Sequence, residues 1–246
     1  MATASTRSEV FYPESDGEPM GETIQHRDAN IDLILALKDH FADDPLAYVS
    51  GDEFLYYVEG NPRFVVSPDV WFVHGIDKTI LRPSYKTWLE AGKGPDLAIE
   101  LTSKSTRRVD LGKKFRIYQD DLKVREYFLF DPLDEYLSPA LQGHRLADGE
   151  YRPIEPVDGK LPSEVLGLHL QAEADFVRFF DPETGRRLPN RLERLAEQET
   201  ANRALEAMNL AKDAALRDAE TEIDRLRREL EALRGGPAPK PKRKRT

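Results

Sequence analysis

The sequence predicts a mixed α/β domain followed by one long, charged helix. Three observations support this: short β-rich apolar runs between turn residues, two stretches with apolar residues at helical spacing, and a shift to Arg, Glu, Leu and Ala from about residue 187. The 246 residues suffice for one core-bearing domain plus extensions. We predict an irregular N-terminal segment (1–25), the α/β domain (26–185), a coiled-coil helix (187–234) and a disordered basic tail (235–246).

The first half of the domain reads as one helix and several strands. Apolar residues at helical spacing predict a helix over about 26–42. Residues 54–58 and 64–66 are β-rich and are separated by Glu-Gly-Asn-Pro, which predicts a hairpin. Residues 69–73 form the next predicted strand. Residues 75–95 look like an irregular excursion with one helical turn.

The second half begins with an apolar run over 96–102, which predicts a central strand covered on both faces. Asp110 is a plausible N-cap of a following helix. The apolar stripe of that helix consists of Leu111, Phe115, Tyr118 and Leu122. Another strand is expected at 126–131, and two or three more between about 136 and 180. Residues 181–185, Asp-Pro-Glu-Thr-Gly, are a turn.

From about 187 the chain fits a heptad frame and contains no Pro or Gly until Gly235. Positions a are Leu195, Asn202, Asn209, Leu216, Ile223 and Leu230, and positions d are Gln198, Leu205, Lys212, Ala219, Leu226 and Leu233. The pattern predicts a coiled coil that strengthens toward its C-terminus, and Asn at a favours a defined register and two strands. We therefore expect a homodimer. The alternative is a single helix that packs on its own domain. The basic tail is a tether to nucleic acid or a solvated tail.

The composition argues against several classes of protein. The chain has no cysteine, no apolar run of membrane-spanning length and no apolar signal-peptide core, so we expect a cytoplasmic protein with no membrane partner. A net charge of −9 argues against a non-specific nucleic-acid coat protein. A local basic rim for nucleic acid is nevertheless present: Lys104, Arg107, Arg108, Lys113, Lys114 and Arg116. Neither a Gly-rich phosphate loop nor a Ser nucleophile elbow occurs.

Two carboxylates lie on one face of the predicted central strand. Because alternate residues of a strand share a face, Asp96 and Glu100 point the same way. Carboxylates inside such an apolar run are costly unless they are paired or bind a cation. Asp69 begins the preceding long strand. If that strand and the strand of Glu100 are neighbours in the sheet, Asp69 lies close to Glu100. Such an oxygen-rich pocket suits Mg²⁺, which takes one or two carboxylates plus waters and substrate phosphate.

Lys114 lies three residues after Leu111 and four before Tyr118, on or beside the buried stripe of its helix. A lysine there could orient a water or stabilise charge that develops on a phosphate. The simpler alternatives are that Lys114 extends its ammonium to water and that each Pro-Asp pair, Pro68-Asp69 and Pro95-Asp96, only begins a strand.

The order Asp69, Glu100, Lys114 resembles the PD-(D/E)XK restriction-endonuclease-like superfamily. More narrowly, the stretches 95–118 and 124–132 resemble the Uma-type endonuclease family, and the resemblance covers about residues 22–185. It implies a helix–strand–strand–strand–helix–strand core in which Asp69, Glu100 and the backbone carbonyl of Leu101 hold Mg²⁺, with Mn²⁺ as a substitute. Asp96 would support the metal or a neighbouring group. Water would attack the phosphorus of a phosphodiester in line and leave a 5′-phosphate. We expect the substrate to be DNA.

The chain departs from the superfamily pattern at one position. The superfamily places its lysine two residues after the glutamate, where this sequence has Thr102. Lys114 is therefore the candidate and Lys104 the alternative, while Glu22 or His26 could also reach the site from the first helix. If neither lysine reaches the pocket, the alternative function is a non-catalytic binding or assembly module that acts through the coiled coil.

Overall fold

The computed structural model describes residues 10–13, 24–103 and 106–234 of the chain. Glu22, Lys104 and the basic tail lie outside these residues, as does most of the segment 1–25. The chain divides into two compact units, Met1–Arg191 and Leu192–Thr246, and each is described by itself.

The mixed α/β prediction is confirmed in the described residues, where short strands alternate with few helices. The helical elements are α1 (Ile24–His40), a 3₁₀ turn (Thr87–Leu89), a π-helical segment (107–121) with π turns at Val109–Lys114 and Ile117–Asp121, and α2 (Arg191–Arg234). The strands are β1 (Ala47–Ser50), β2 (Leu55–Tyr56), β3 (Val65–Val66), β4 (Val70–His74), β5 (Tyr85–Lys86), β6 (Leu97–Leu101), β7 (Glu126–Phe130), β8 (Leu141–Ala147), β9 (Glu150–Pro153), β10 (Leu161–Ser163), β11 (Leu168–Glu173) and β12 (Phe176–Phe180).

The central sheet has six strands in the order β1-β4-β6-β7-β8-β9. Its neighbours are antiparallel except β6 and β7, which are parallel and are joined through the π-helical segment. The succession α1, β1, β4, β6, π-helical segment, β7 gives the helix–strand–strand–strand–helix–strand core of a restriction-endonuclease-like fold. Two three-stranded sheets, β3-β2-β5 and β10-β11-β12, complete the unit.

The two faces of the central sheet bury two different cores. On β6, Leu97, Ile99 and Leu101 belong to the core that also contains the apolar side of α1. Ala98 belongs to the other core, with Tyr118 of the π-helical segment. Every residue of β6 and β7 is buried, as the apolar run at 96–102 predicted for a central strand.

The strand prediction for the last part of the domain is wrong in number. The region 136–180 contains five strands, not two or three, and β1 was not predicted at all. These elements are short, and β8 and β9 leave most side chains partly or fully exposed, so their sequences lack the sustained apolar signal of β6.

The helix after β6 also differs from the prediction. Asp110 is not an N-cap: the helical segment begins before it, and Asp110 is buried inside the first turn. Leu111, assigned to the buried stripe, is 44% exposed. The reason is that π turns form i→i+5 hydrogen bonds, so they hold more residues per turn than the α-helix on which the predicted stripe was based.

The long helix α2 has 44 residues, and none of them is buried. It confirms the predicted helix, with its start at Arg191 rather than at about residue 187. No helix in the described ranges has both the length and the apolar character needed to cross a membrane.

Candidate active site

The register of β4 against β6 brings Asp69 beside Glu100. Val70 pairs with Ile99, so Asp69, one residue earlier, lies opposite Glu100, one residue later. The Asp69 N–H donates to Glu100 Oε2 at 3.4 Å, and the Leu101 N–H donates to Asp69 Oδ2 at 2.7 Å. Two predicted site carboxylates therefore meet where β4 begins and β6 ends.

Glu100 is a fully buried carboxylate whose two oxygens both have partners. The side chain is 0% exposed, and Lys114 Nζ donates to Oε2 at 2.7 Å. The Tyr118 hydroxyl donates to Oε1 at 2.6 Å. These bonds offset the large cost of removing a carboxylate from water.

The π-helical segment supplies three polar groups to this point, spaced four residues apart: Asp110, Lys114 and Tyr118. Asp110 Oδ1 lies 3.7 Å from Lys114 Nζ, so the ammonium is placed between two carboxylates. The Tyr127 hydroxyl donates to the Asp110 backbone carbonyl at 3.1 Å and ties the segment to β7. Wide π turns are frequent at functional sites, and here they direct a lysine inward.

His26 reaches the same point from the first turn of α1. Its Nε2 lies 2.7 Å from the Leu101 carbonyl oxygen and 3.6 Å from Asp69 Oδ2. The structure therefore brings His26, one of two helix residues considered from the sequence, to the ends of both strands.

The ionisation of these groups follows from burial and from their mutual charges. Burial raises the pKa of Glu100 to about 8; the Lys114 ammonium opposes this rise and the Asp69 carboxylate adds to it. Burial also raises the Asp69 pKa, but the hydrogen bond to His26 and the Lys114 charge lower it more, so it lies below its usual value. Burial lowers the Lys114 pKa, but the surrounding carboxylates outweigh this and raise it, so the ammonium stays charged. The site thus places one ammonium beside two acidic side chains, of which Asp69 ionises at lower pH than Glu100.

Comparison with known families identifies the chain. A family model, Uma2, described as "Putative restriction endonuclease", matches residues 5–176, more than half of the sequence. The chain belongs to the Uma2 family. The match spans every residue of the site described above, which confirms the resemblance found in the sequence.

Four solved chains are similar to this one. One of them is the crystal structure of a putative nuclease belonging to DUF820 from Anabaena variabilis ATCC 29413. The two chains share 15% identity with a TM-score of 0.46, over 64% of this chain and 83% of the other. Among curated proteins, no match is found.

Thr102, where the superfamily pattern expects a lysine, has other partners in this Uma2 chain. It is buried, its N–H donates to the Phe130 carbonyl at 2.7 Å, and its hydroxyl contacts the Tyr136 hydroxyl. The ammonium at Glu100 comes instead from Lys114, as the sequence suggested. Lys104, the alternative, lies outside the described residues.

Asp96 lies away from the Uma2 site. Its carboxylate accepts a hydrogen bond from the His74 N–H at 2.8 Å, where β4 ends. Asp96 and Glu100 share a face of the strand, but four residues of strand separate them by about 13 Å. Asp96 therefore holds the other end of the β4–β6 pair in place. Its position does not support the predicted role of its side chain at a metal.

The predicted nucleic-acid-binding residues lie at the surface around the start of the π-helical segment. Arg107, Arg108 and Lys113 are all exposed. The Arg107 guanidinium lies 5.6 Å from the centre of the Tyr136 ring. Because Tyr136 also contacts Thr102, this arginine is connected to the end of β6 near Glu100.

The donor atoms of the site are hard oxygens: the Asp69 and Glu100 carboxylates and the Leu101 carbonyl. Such a set suits Mg²⁺, which prefers oxygen ligands and retains several waters. In the described part of the chain there is no group of three or more His, Cys, Asp or Glu side chains arranged to hold a metal ion. Any bound cation would thus need water or substrate oxygens as further ligands, which is the usual situation for Mg²⁺.

Two residues of the site carried little signal in the sequence. Asp110 looked like a helix cap, and Tyr118 looked like an ordinary member of an apolar stripe. Asp110 lies four residues before Lys114, and Tyr118 lies four residues after it. This regular spacing of three side chains with polar ends is visible in the sequence and could have identified both residues.

Proposed function

We propose that this Uma2 protein is a Mg²⁺-dependent endonuclease that hydrolyses phosphodiester bonds of DNA and leaves 5′-phosphates. The observation that supports this most is the buried Glu100 carboxylate, in contact with the Asp69 backbone on one side and the Lys114 ammonium on the other. A buried carboxylate paired with a lysine is expensive as a purely structural feature. Membership of a family described as restriction endonucleases supports a nuclease.

Asp69, Glu100 and the Leu101 carbonyl would hold Mg²⁺, or Mn²⁺ in its place. When bound, the ion supplies positive charge to the phosphate oxygens and to the attacking water. His26 contacts both the Leu101 carbonyl and Asp69, so it positions two of these three donors.

Lys114 has the role of orienting the attacking water and stabilising negative charge on the phosphate. Asp110 and Tyr118 keep this arrangement in place, Asp110 beside the ammonium and Tyr118 through its hydrogen bond to Glu100. Water attacks phosphorus and loses a proton, the bond from phosphorus to the 3′ oxygen breaks, and that oxygen takes up a proton from solvent and leaves as a hydroxyl. The products are a 5′-phosphate and a 3′-hydroxyl.

The basic rim defines how DNA approaches. Arg107, Arg108 and Lys113 are exposed cations on a chain whose net charge is −9, so phosphate binding is favoured at this rim and disfavoured elsewhere. Phosphate contacts of this kind position a duplex without reading its sequence.

The test is cleavage of supercoiled, linear and single-stranded DNA with Mg²⁺ or Mn²⁺ by wild type, Glu100→Gln and Asp69→Asn. We expect cleavage by wild type and a loss of at least about 1,000-fold in both variants. Glu150→Gln, a matched change on exposed β9, serves as the control and should cleave normally. End-labelling of the products reports the 5′-phosphate.

Equal cleavage by wild type and both site variants would overturn the assignment of the site. Binding of DNA without cleavage of any substrate would overturn the enzyme and favour the non-catalytic binding module. RNA cleavage in preference to DNA would correct the substrate class while leaving the site in place.

A further inference from the structure

The long helix α2 leaves an apolar stripe exposed along its whole length. Six large residues at heptad positions a and d are each 46–54% exposed in a helix where nothing is buried, and a seventh, Leu233, is 82% exposed; the six are Leu195, Leu205, Leu216, Ile223, Leu226 and Leu230. From Leu195 to Leu233 the stripe runs for about 57 Å at a helical rise of 1.5 Å per residue. An exposed apolar surface of that length marks an interaction site.

We propose that the partner of this stripe is α2 of a second copy of the chain, in a parallel, in-register, two-stranded coiled coil. In that arrangement each a residue faces the same residue of the other copy. Asn202 and Asn209 then each meet their own counterpart, and two facing amides can bond to one another. The leucines and isoleucine of the last three heptads form most of the apolar contact layers.

The charges beside the stripe are self-complementary in this arrangement. In a parallel pair, position g of one helix lies near position e of the next heptad on the other helix. Three such positions bring opposite charges together, and none brings like charges together. The pairs are Arg194 with Glu199, Glu222 with Arg227, and Glu229 with Arg234, the second residue of each belonging to the second copy.

Within one helix the same glutamates already have a partner on the outer side. Arg225 lies 3.4 Å from Glu222 and 3.5 Å from Glu229. Exposed pairs of this kind are weak and exchange readily, so they leave both glutamates available to the second helix.

An antiparallel pair fits the same residues poorly. With full overlap, position a faces position d, which sets Asn202 against Leu226 and Lys212 against Leu216. The amide and the ammonium would then be buried against leucine without a hydrogen-bonding partner, which is unfavourable. In the parallel pair the only like-charged core layer is Lys212, whose ammonium can extend past the layer to water.

A parallel pair has a consequence for the whole protein. Both chains enter the coiled coil at Arg191, so the two Met1–Arg191 units are connected to the same end of it. This dimer does not rest on the proposed nuclease, because association of the chains is measured without reference to cleavage.

The test uses the full-length chain and two charge variants. Sedimentation of wild type in the micromolar range should give a dimer. Glu222→Arg with Glu229→Arg, and separately Arg227→Glu with Arg234→Glu, should each weaken self-association at least about tenfold because like charges then face one another. An equal mixture of the two variants should restore the wild-type affinity as a heterodimer. Arg228→Glu, on the outward side of the helix, is the matched control and should not change association.

Orientation is tested by disulfide formation, which is clean because the chain contains no cysteine. Leu226→Cys should cross-link two copies, since facing d positions lie within disulfide reach only in a parallel, in-register pair. Arg228→Cys, the outward control, should not. A monomer at all concentrations, a trimer, a mixture that fails to restore affinity, or no cross-link from Leu226→Cys in a dimer would each overturn the proposal.

Discussion

Glu100 and Leu226 each lie in an environment that is unfavourable for their type of side chain: Glu100 is buried and Leu226 is exposed. They belong to the two different units of the chain. Glu100 is a carboxylate at 0% exposure, and Leu226 is a leucine at 47% exposure. For Glu100 the same chain supplies the compensation, through Lys114 and Tyr118. For Leu226 no residue of α2 buries it. The partners of Glu100 therefore lie within one chain, whereas the proposed partner of Leu226 is a second helix.

The first prediction tests the site of Glu100 by removing its cationic partner, Lys114. Lys114→Ala should lower kcat by about 100- to 1,000-fold with little change in KM, because the lost charge acts on the transition state. Lys113→Ala is the matched control, one residue along and exposed, and should raise KM while kcat stays the same. Steady-state kinetics on a cleavable duplex separate the two. A kcat loss at Lys113 equal to that at Lys114 would contradict the assigned role.

The second test uses the pH dependence of stability. Glu100 ionises near 4.5 in an unfolded chain and near 8 in the folded one, so the folded protein holds an extra proton between these values. The stability from this proton is fully present below pH 4.5 and is lost as the pH rises through 8. The full loss amounts to roughly 5 kcal/mol, since the two values differ by about 3.5 and one unit of pKa difference is worth about 1.4 kcal/mol.

Glu100→Gln isolates that contribution because it keeps the shape of the side chain without the ionisation. Urea unfolding of both proteins at several pH values between 5 and 8, with EDTA present, gives the difference in free energy of unfolding. We expect wild type to lose stability relative to Glu100→Gln as the pH rises. Parallel pH profiles for the two proteins would mean that Glu100 does not titrate in this range.

The parts of the site that lie on regular strands could be predicted from the sequence. The period of two in a strand, with an apolar run long enough to be central, placed Glu100 in the interior. That Asp69 approaches it depended on the two strands being neighbours, which the pairing of β4 with β6 shows. The same parity misled for Asp96, because sharing a face says nothing about distance along the strand. The hydrogen bond from His74 shows what Asp96 does at its own end of the strand.

The helical part of the site was predictable only in part, because no pattern in the sequence indicates the π turns. Lys114 was placed correctly through its spacing from Tyr118, but the α-helical period used for that argument put Leu111 inside and Asp110 at a cap. The structure reverses both positions. Too few strands were predicted between 136 and 180 for a different reason, since half-exposed alternation, as in β8 and β9, is weak next to the pattern of a buried strand.

A smaller effect is expected when metal binds to the folded protein. Millimolar Mg²⁺ or Mn²⁺ should stabilise wild type by about 1–2 kcal/mol, because a ligand that binds only the native state raises its stability by mass action. Asp69→Asn should lose most of this gain, and Glu150→Gln should keep it. Thermal unfolding with and without metal measures the shift. An equal shift in Asp69→Asn would place the ion elsewhere.

The smallest effect should come from separating the two copies. If the site is complete within one chain, the Glu222→Arg, Glu229→Arg variant should show the same metal-dependent rise in melting temperature as wild type, within about 1 °C, when both are measured at equal chain concentration. Glu100 has its partners on the π-helical segment of its own chain, so weaker pairing of α2 gives no reason for them to change. Loss of the metal response in this variant would show that the site depends on the second copy, and the contrast between Glu100 and Leu226 would then no longer separate the two units.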